Sequence, residues 1–153
     1  MGVLVKESGF VADDWGDGYV PLSALSNAAI GVARGAVGVD LSSPELEPGS
    51  WQRLCEARER IGLIRVRLRE FGDRAAFDLA RALRAEGYSG RLRAHGAVLA
   101  GFYTLTRRAG FDEVELAPMQ AGLQPGEHWR NERDWSPRPL LAAAEAQRGC
   151  RSA

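Results

Sequence analysis

The feature that most constrains the fold is a regular alternation of short strands and longer helical segments between residues 37 and 116. Apolar or alternating runs at 37–41, 64–68, 91–94 and 113–116 predict strands, and helical periodicity over about 50–60, 73–86 and 97–109 predicts the connections. Strands joined by such helices form right-handed units with a parallel sheet. We therefore predict a single α/β domain of four successive βα units, either half of a TIM-like barrel or an open doubly wound sheet.

Local signals place the helix ends. Ser50 is a candidate N-cap of the first helix, whose inward residues are Leu54, Ala57 and Ile61. Asp73 is a candidate N-cap of the second helix, and Gly87 is placed to be its C′ residue. The third helix is predicted to turn an apolar stripe toward the core, formed by Val98, Phe102, Leu105 and Ala109.

The charge pattern of the strands conflicts with a sheet that is covered on both faces. Ile64, Val66 and Leu68 alternate with arginines, so one face of this strand is aliphatic and the other cationic. Residues 53–108 carry thirteen cations and six anions, net +7, between segments of net −5 (residues 1–52) and net −2 (residues 109–153). Strands of a doubly covered parallel sheet read as continuous apolar runs. One face must therefore be partly open, hold an internal charge network, or meet a partner.

Composition argues against several classes of protein. The 153 residues suit one domain, and 20 cations against 20 anions argue against binding nucleic acid or anionic membranes through bulk positive charge. Cys55 and Cys150 lie far apart, which disfavours a disulfide scaffold, a structural zinc site and an iron–sulfur cluster. We expect no metal and no cofactor, since no dinucleotide, Walker or metalloprotease motif is present. No apolar run approaches ~20 residues and no leader is visible, so we expect a cytoplasmic protein.

The flanking segments are predicted to pack on the βα core, which comprises residues 37–117. Residues 1–36 are expected to form a turn and a helix over about 21–33, with Leu22, Leu25, Ala29 and Val32 inward. Residues 118–153 are expected to form a loop and a short helix over 139–147. The loop has the aromatic and arginine content typical of interface hot spots, in Trp129, Trp135, Arg130, Arg133 and Arg138. Alternatively, both indoles fold back over the sheet or cover an open edge.

Ligands of parallel α/β sheets bind beyond the carboxyl ends of the strands. Cationic side chains cluster at the ends of the second and third predicted strands, where arginine forks and the unpaired N–H groups of helices beginning near Arg74 and Ala97 would stabilise phosphate, sulfate or sulfite. The predicted anion site comprises Arg67, Arg69, Asp73, Arg74, Arg93 and His95. The alternative is an ion-pair ladder, in which carboxylates of the first and fourth strands neutralise the arginines between them.

His95 follows a strand end and is placed where a general acid or base could act. The alternative is a surface or hydrogen-bonded histidine with no chemical role. No carboxylate or nucleophile adjoins it in sequence, and no GxSxG elbow is present. The residues alone therefore identify no catalytic group.

Three stretches of the chain resemble a bacterial family. They are residues 71–84 (FGDRAAFDLARALR), 87–96 (GYSGRLRAHG) and 108–116 (RAGFDEVEL), and Asp13-Asp14-Trp15 resembles the family's N-terminal signature. The family is the bacterial domain-of-unknown-function family nine-three-four. Its members are described as oxidoreductases or accessory proteins of sulfite reduction because their genes lie beside sulfite reductase genes. The resemblance spans about residues 10–117.

The chain departs from the family pattern at several positions. The family has Asp-Gly-Arg where this chain has Gly72-Asp73-Arg74, and polar residues where Ala97, Ala100 and Gly101 stand. The second strand is usually apolar in the family, so its arginine face is peculiar to this chain. If the missing polar residues serve a shared site, this member has lost part of it.

The resemblance implies an accessory protein of assimilatory sulfite reduction that binds a small sulfur oxyanion or the sulfite reductase itself. Six-electron reduction of sulfite needs an electron-delivering cofactor such as an iron–sulfur cluster with a haem-type macrocycle, and two isolated cysteines cannot ligate that cluster. One alternative is a small cofactor-free enzyme on a half-barrel, acting on a phosphorylated or sulfonated metabolite. Another is a purely structural or interaction module, for example a homodimer.

Overall fold

The computed structural model describes residues 2–25 and 37–134, with the backbone alone for residues 131–134. The strands are β1 Val3–Lys6, β2 Gly9–Ala12, β3 Val20–Pro21, β4 Val37–Leu41, β5 Ile61–Leu68, β6 Arg91–Gly96 and β7 Glu113–Leu116. The helices are α1 Pro48–Ala57, α2 Arg74–Ala85, α3 Tyr103–Ala109, α4 Pro118–Leu123 and α5 Gly126–Asp134. Short 3-10 turns occupy Leu22–Ala24, Arg58–Arg60 and Ala100–Phe102.

The described strands form one seven-stranded sheet in the order β2-β1-β7-β6-β5-β4-β3. Strands β3 to β7 are parallel and follow the chain order, while β1 pairs antiparallel with both β7 and β2. The prediction of an α/β domain with a small parallel sheet is confirmed. A doubly wound sheet requires a reversal of strand order, and none occurs from β3 to β7. The chain therefore follows the half-barrel order, extended by an antiparallel hairpin.

The strand order decides which face of the sheet the helices cover. Right-handed crossovers that always step in the same direction place their helices on the same face. The aliphatic strand residues Val66, Leu92 and Val114 accordingly share one core cluster with Leu54 of α1 and Phe77 of α2. Within residues 2–25 and 37–134, no crossover helix lies on the opposite face, which carries the strand charges.

The predicted ends of α2 are confirmed. The Asp73 carboxylate accepts a hydrogen bond from the Ala76 amide at 3.4 Å, and Gly87 has a φ of 90° just after the helix. The expected N-cap of α1 is wrong by three residues. Glu47 is the N-cap instead of Ser50, because Pro48 has the fixed φ that suits the first helical position.

The third predicted helix begins later than expected. Residues 97–99 are not helical, since the Ala97 amide donates to the Leu68 carbonyl and the Val98 amide donates to the Gly96 carbonyl. A 3-10 turn follows, and α3 starts only at Tyr103. The expectation of unpaired N–H groups near Ala97 is therefore wrong.

The flanks contain more regular structure than the sequence indicated. The hairpin of β1 and β2 was not predicted, and α4 and α5 lie where a loop was expected. Trp129 is buried, its ring centroid lies 5.5 Å from that of Tyr103 in an edge-on arrangement, and its indole N–H donates to the Gln124 carbonyl. The prediction that the indole folds back onto the domain is therefore confirmed for Trp129. Leu25 is buried as predicted, whereas Ala29, Val32, Trp135, Arg138 and the helix predicted over 139–147 lie outside the described residues.

Candidate functional site

The strand residues that point away from the helices form a charged sheet face. Neighbouring strands place their charged side chains side by side, because Arg65 pairs in register with Asp40 on one side and Arg93 on the other, and Arg93 pairs with Glu113. The charged sheet face comprises Asp40, Arg65, Arg67, Arg91, Arg93, His95, Glu113 and Glu115. The predicted ladder of anions and cations is therefore present in the fold.

Arg93 lies at the centre of the charged sheet face and its side chain is 0% exposed. Its guanidinium forms two hydrogen bonds with Asp13, at 3.0 and 3.1 Å, and one each with Glu113 and Glu115 at 3.1 Å. The Tyr19 hydroxyl accepts a further hydrogen bond at 2.8 Å. All three guanidinium nitrogens of Arg93 are thus bonded to the protein's own acceptors, and the side chain is buried, so Arg93 is not accessible to a ligand.

The two cationic strands are held together by shared carboxylates. Glu115 accepts from Arg65 at 3.3 Å as well as from Arg93, and Asp40 accepts from Arg65 Nε at 2.9 Å. The buried Glu113 carboxylate accepts from Arg91 at 2.8 and 2.9 Å in addition to Arg93. Arg65, Arg91 and Arg93 therefore each have a carboxylate neighbour, which offsets the like-charge contact that the sequence suggested between β5 and β6.

The N-terminal strap, residues 13–19, covers part of the charged sheet face. Asp13 reaches Arg93 and Asp14 reaches Arg91 at 2.7 Å, while the Tyr19 ring lies 4.0 Å below the Arg65 guanidinium carbon. The strap is fixed by its own tryptophan, because Trp15 Nε1 donates to the Gly18 carbonyl at 2.7 Å. The strap thus supplies two of the carboxylates that neutralise the basic strands.

The strap passes so close to β4 that there is no room for a side chain at Gly38. A Cβ atom at Gly38 would lie 2.6 Å from the Gly18 carbonyl oxygen and 2.8 Å from Trp15 Nε1. Both distances are shorter than real Cβ contacts, so only glycine fits at this position. The strap carries Asp13, Asp14 and Trp15, and these contacts give the three residues a structural reason to occur together.

The charge network shifts several pKa values. Burial raises the pKa of the Asp13 carboxyl, but the hydrogen bonds from Arg93 and from the Trp15 amide outweigh it and the net pKa is lowered. The hydrogen bond from Arg91 lowers the pKa of Asp14. Burial and then the charge of Arg65 lower the pKa of His95, against the opposing effect of Asp40. The imidazole is therefore uncharged at neutral pH.

A cleft of about 630 Å³ opens at the carboxyl ends of β5, β6 and β7. The exposed Arg67 side chain stands at one wall, beside its register partner His95. Within residues 2–25 and 37–134, Arg67 forms no ion pair, unlike the other arginines of the charged sheet face. The cleft is lined by Gly2, Arg67, His95, Gly96, Glu115, Leu116, Ala117, Pro118 and Gln120.

Two features fix the shape of the cleft. Gln120 donates to the Gly96 carbonyl at 2.6 Å and accepts from the Ala117 amide at 2.9 Å, which ties the wall after β7 to the end of β6. Gly96 has a φ of 89°, and a Cβ there would lie 2.6 Å from the Leu68 carbonyl oxygen and 3.1 Å from Arg67 Cγ. The turn after β6 therefore needs glycine to pass close to Arg67.

The His95 ring lines the cleft, but one of its nitrogens faces inward. His95 Nε2 is buried without a hydrogen-bond partner and lies 3.6 Å from Asp40 Oδ1. The same Asp40 oxygen already accepts from Arg65. Asp40 is therefore an acceptor close to Nε2, but at 3.6 Å the two atoms are not hydrogen-bonded.

The structure brings together only part of the predicted anion site. Arg67 and His95 meet in the cleft, whereas Arg93 is enclosed by acidic side chains. Arg69 pairs with Asp73 at 3.2 Å and with Glu45 at 3.3 Å. Asp73 is buried as the N-cap of α2 and Arg74 begins that helix, so neither lines the cleft. Anion binding by these residues stays a prediction, and the structure concentrates it on Arg67 and His95.

Sequence reasoning missed the partners that complete the network. Tyr19 and Gln120 were not predicted, because nothing local in the sequence links them to their partners. Tyr19 contacts Arg65, which is 46 residues away, and Gln120 bonds to Gly96, which is 24 residues away. The sequence did contain a signal for Asp13 and Asp14, because residues 1–52 carry a net charge of −5 and precede a segment of net +7. Of the positions at which the chain was expected to have lost polar residues of the family, Ala97 directly follows the cleft residue Gly96, whereas Ala100 is buried.

Other potential sites are limited in the described part of the chain. Across residues 2–25 and 37–134, no three His, Cys, Asp or Glu side chains are grouped so as to hold a metal ion. Cys55 is a free thiol, and Cys150 lies outside the described residues. None of the helices in those ranges combines the length and apolarity needed to cross a bilayer.

Comparison with known proteins gives a family but no characterised relative. No curated protein and no solved structure matches the chain. Residues 45–132 match the family model described as bacterial protein of unknown function (DUF934), which is more than half of the 153 residues. The chain, with its parallel sheet, charged face and carboxyl-edge cleft, therefore belongs to the DUF934 family of bacterial proteins.

Proposed function

We propose that the protein is an accessory protein of assimilatory sulfite reduction that binds the oxyanion of a small sulfur compound in the cleft beside Arg67. The observation that carries this proposal is the state of Arg67. It is an exposed arginine at the carboxyl edge of a parallel sheet, it lines a cleft, and no carboxylate pairs with it among the described residues. A planar guanidinium in this position can bind two oxygens of an oxyanion at once.

The charges around the cleft support an anion there. Glu115 lines the cleft, but Arg65 and Arg93 both bind its carboxylate, so its charge is compensated within the protein. The imidazole of His95 is uncharged at neutral pH and does not repel Arg67. An anion would therefore meet a cation that pairs with no carboxylate among the described residues, beside the uncharged ring of His95.

The link to sulfite reduction rests on membership of the family and on a second feature at the carboxyl edge of the parallel strands. Three large apolar side chains that follow β5 and β7 are exposed: Phe71 at 60%, Met119 at 78% and Leu123 at 74%. Parallel strands end at the same edge of the sheet, and exposed apolar side chains at such an edge would suit a protein partner. We propose that sulfite reductase contacts this edge while the oxyanion occupies the cleft.

Binding to the pure protein tests the oxyanion half of the proposal. Sulfite, sulfate and phosphate are titrated while the melting temperature and the heat of binding are recorded, and a ligand that binds only the folded state raises the melting temperature. Arg67→Gln is expected to remove the effect. Arg53→Gln is the matched control, because Arg53 is an exposed arginine on α1 away from the cleft. Equal binding by wild type and Arg67→Gln would refute the site.

Genetics and co-purification test the sulfite half. Deletion of the gene is expected to prevent growth on sulfate or sulfite as sole sulfur source and to leave growth on cysteine intact. The wild-type protein is expected to co-purify with the reductase, and the Met119→Asp variant is expected not to co-purify with it. Normal growth of the deletion strain on sulfate would remove the sulfite assignment, whatever the binding measurements show.

A further inference from the structure

The cleft is much larger than an inorganic oxyanion, and small uncharged residues lie across it from Arg67. Its volume of about 630 Å³ lies in the range of about 300–1,000 Å³ that accommodates organic ligands. A free oxyanion fills only a few water volumes of about 30 Å³ each. Sulfite held by Arg67 alone would therefore leave most of the cleft empty.

The geometry of the sheet separates Arg67 from the opposite wall. Arg67 stands on β5, whereas Ala117 and Pro118 follow β7, two strands away. With neighbouring strands about 4.8 Å apart, these walls are about 10 Å from each other. The side that faces Arg67 offers Gly2, Ala117 and Pro118, which have no charge and little bulk. Glu115 also lies on this side, but Arg65 and Arg93 bind its carboxylate.

We infer that the cleft takes an organic molecule with an oxyanion head group, a sulfonate or a phosphate monoester, whose short carbon body lies along Ala117 and Pro118. This inference rests on the proposed oxyanion site and adds the class of ligand. Arg67 binds the head group, and the wall after β7 excludes water from the body. Gln120 holds that wall in place through its hydrogen bonds to Gly96 and Ala117.

Affinity across matched ligands tests the inference. Sulfate is compared with methane-, ethane- and propanesulfonate, and phosphate with ethyl and phenyl phosphate, by calorimetry on the intact protein. Each methylene that leaves water in the cleft is expected to tighten binding about two- to fourfold. The sulfonate and phosphate series identify the preferred head group. An absence of any gain with chain length would overturn the inference.

Two matched variants locate the organic body. Ala117 is exposed and lines the cleft, so Ala117→Leu fills part of the space without entering the core. It is expected to abolish the gain from the alkyl chain while inorganic sulfate binds as before. Ala85→Leu places the same bulk on an exposed position at the far end of α2 and should change nothing. Retention of the full alkyl gain in Ala117→Leu would place the body elsewhere and overturn the inference.

The Arg67→Gln variant separates failure of this inference from failure of the proposed function. If sulfite and sulfate bind as tightly as the alkyl sulfonates and depend on Arg67, the oxyanion site stands and the organic ligand class is wrong. If neither inorganic nor organic oxyanions show binding that depends on Arg67, both proposals fail together.

Discussion

Replacing Arg93 by methionine should be among the most destabilising single changes in the charged sheet face. Methionine keeps much of the side-chain length but removes every donor. The Asp13, Glu113 and Glu115 carboxylates then lose a partner that bound them at 3.0–3.1 Å, and Glu113 is itself only 1% exposed. Carboxylates left in a buried position without full compensation are costly because their hydration cannot be restored.

The magnitude follows from the burial of the pair. Removal of one partner of a buried ion pair costs about 3–5 kcal/mol, against a total unfolding free energy of about 5–15 kcal/mol for a domain. For a protein of this size each kcal/mol lowers the melting temperature by about 2–4 °C. We therefore expect Arg93→Met to melt on the order of 6–20 °C below wild type.

Urea unfolding of matched variants measures this cost. Arg81→Met is the control, since Arg81 forms an exposed pair with Asp78 at 3.0 Å and such pairs contribute about 0–1 kcal/mol. In a double-mutant cycle with Asp13→Asn, the coupling between Arg93 and Asp13 should exceed about 1 kcal/mol. The reasoning is refuted if Arg93→Met costs no more than Arg81→Met with an unchanged denaturant slope.

Three further changes test other parts of the structure. Asp73→Ala removes the N-cap of α2 and should cost about 1–2 kcal/mol in urea unfolding, with Asp73→Asn losing less. Gly38→Ala puts a Cβ 2.8 Å from Trp15 Nε1 and should lower the free energy of unfolding by about 1–3 kcal/mol. Gly49→Ala is the control, because a Cβ at Gly49 would have no atom within 4 Å, and it should be neutral or stabilising. Equal effects of the two changes would contradict the packing argument. The pKa values of Asp13 and Asp73 are lowered in the folded state. Both carboxylates therefore stabilise the folded protein above the unfolded pKa of about 3.9, and this stabilisation is lost as the pH falls through their lower folded values. The urea midpoint should therefore fall steeply below about pH 4 in wild type and less so in Asp13→Asn.

The core of the fold could be predicted because its signals are local. Strand alternation in β5, the Asp73 cap and Gly87 each act within a few residues, and the structure places them as predicted. The predictions failed where distant groups compete for the backbone. Residues 97–99 are not helical because the Leu68 carbonyl accepts the Ala97 amide, and Leu68 lies 29 residues earlier in the chain.

The sequence by itself determined that basic strands would lie side by side and that an acidic N-terminal segment was available to meet them. Only the tertiary structure decided which arginines that segment would neutralise. In the part of the chain that the structure describes, crossovers in chain order leave one face of the sheet without helices. The N-terminal strap crosses this face over Arg91 and Arg93 but not over Arg67. Buried charges must be paired and hydrogen-bonded, whereas an exposed arginine at the edge can stay in water without a partner. That difference in solvation separates the structural cations from the one that faces the cleft.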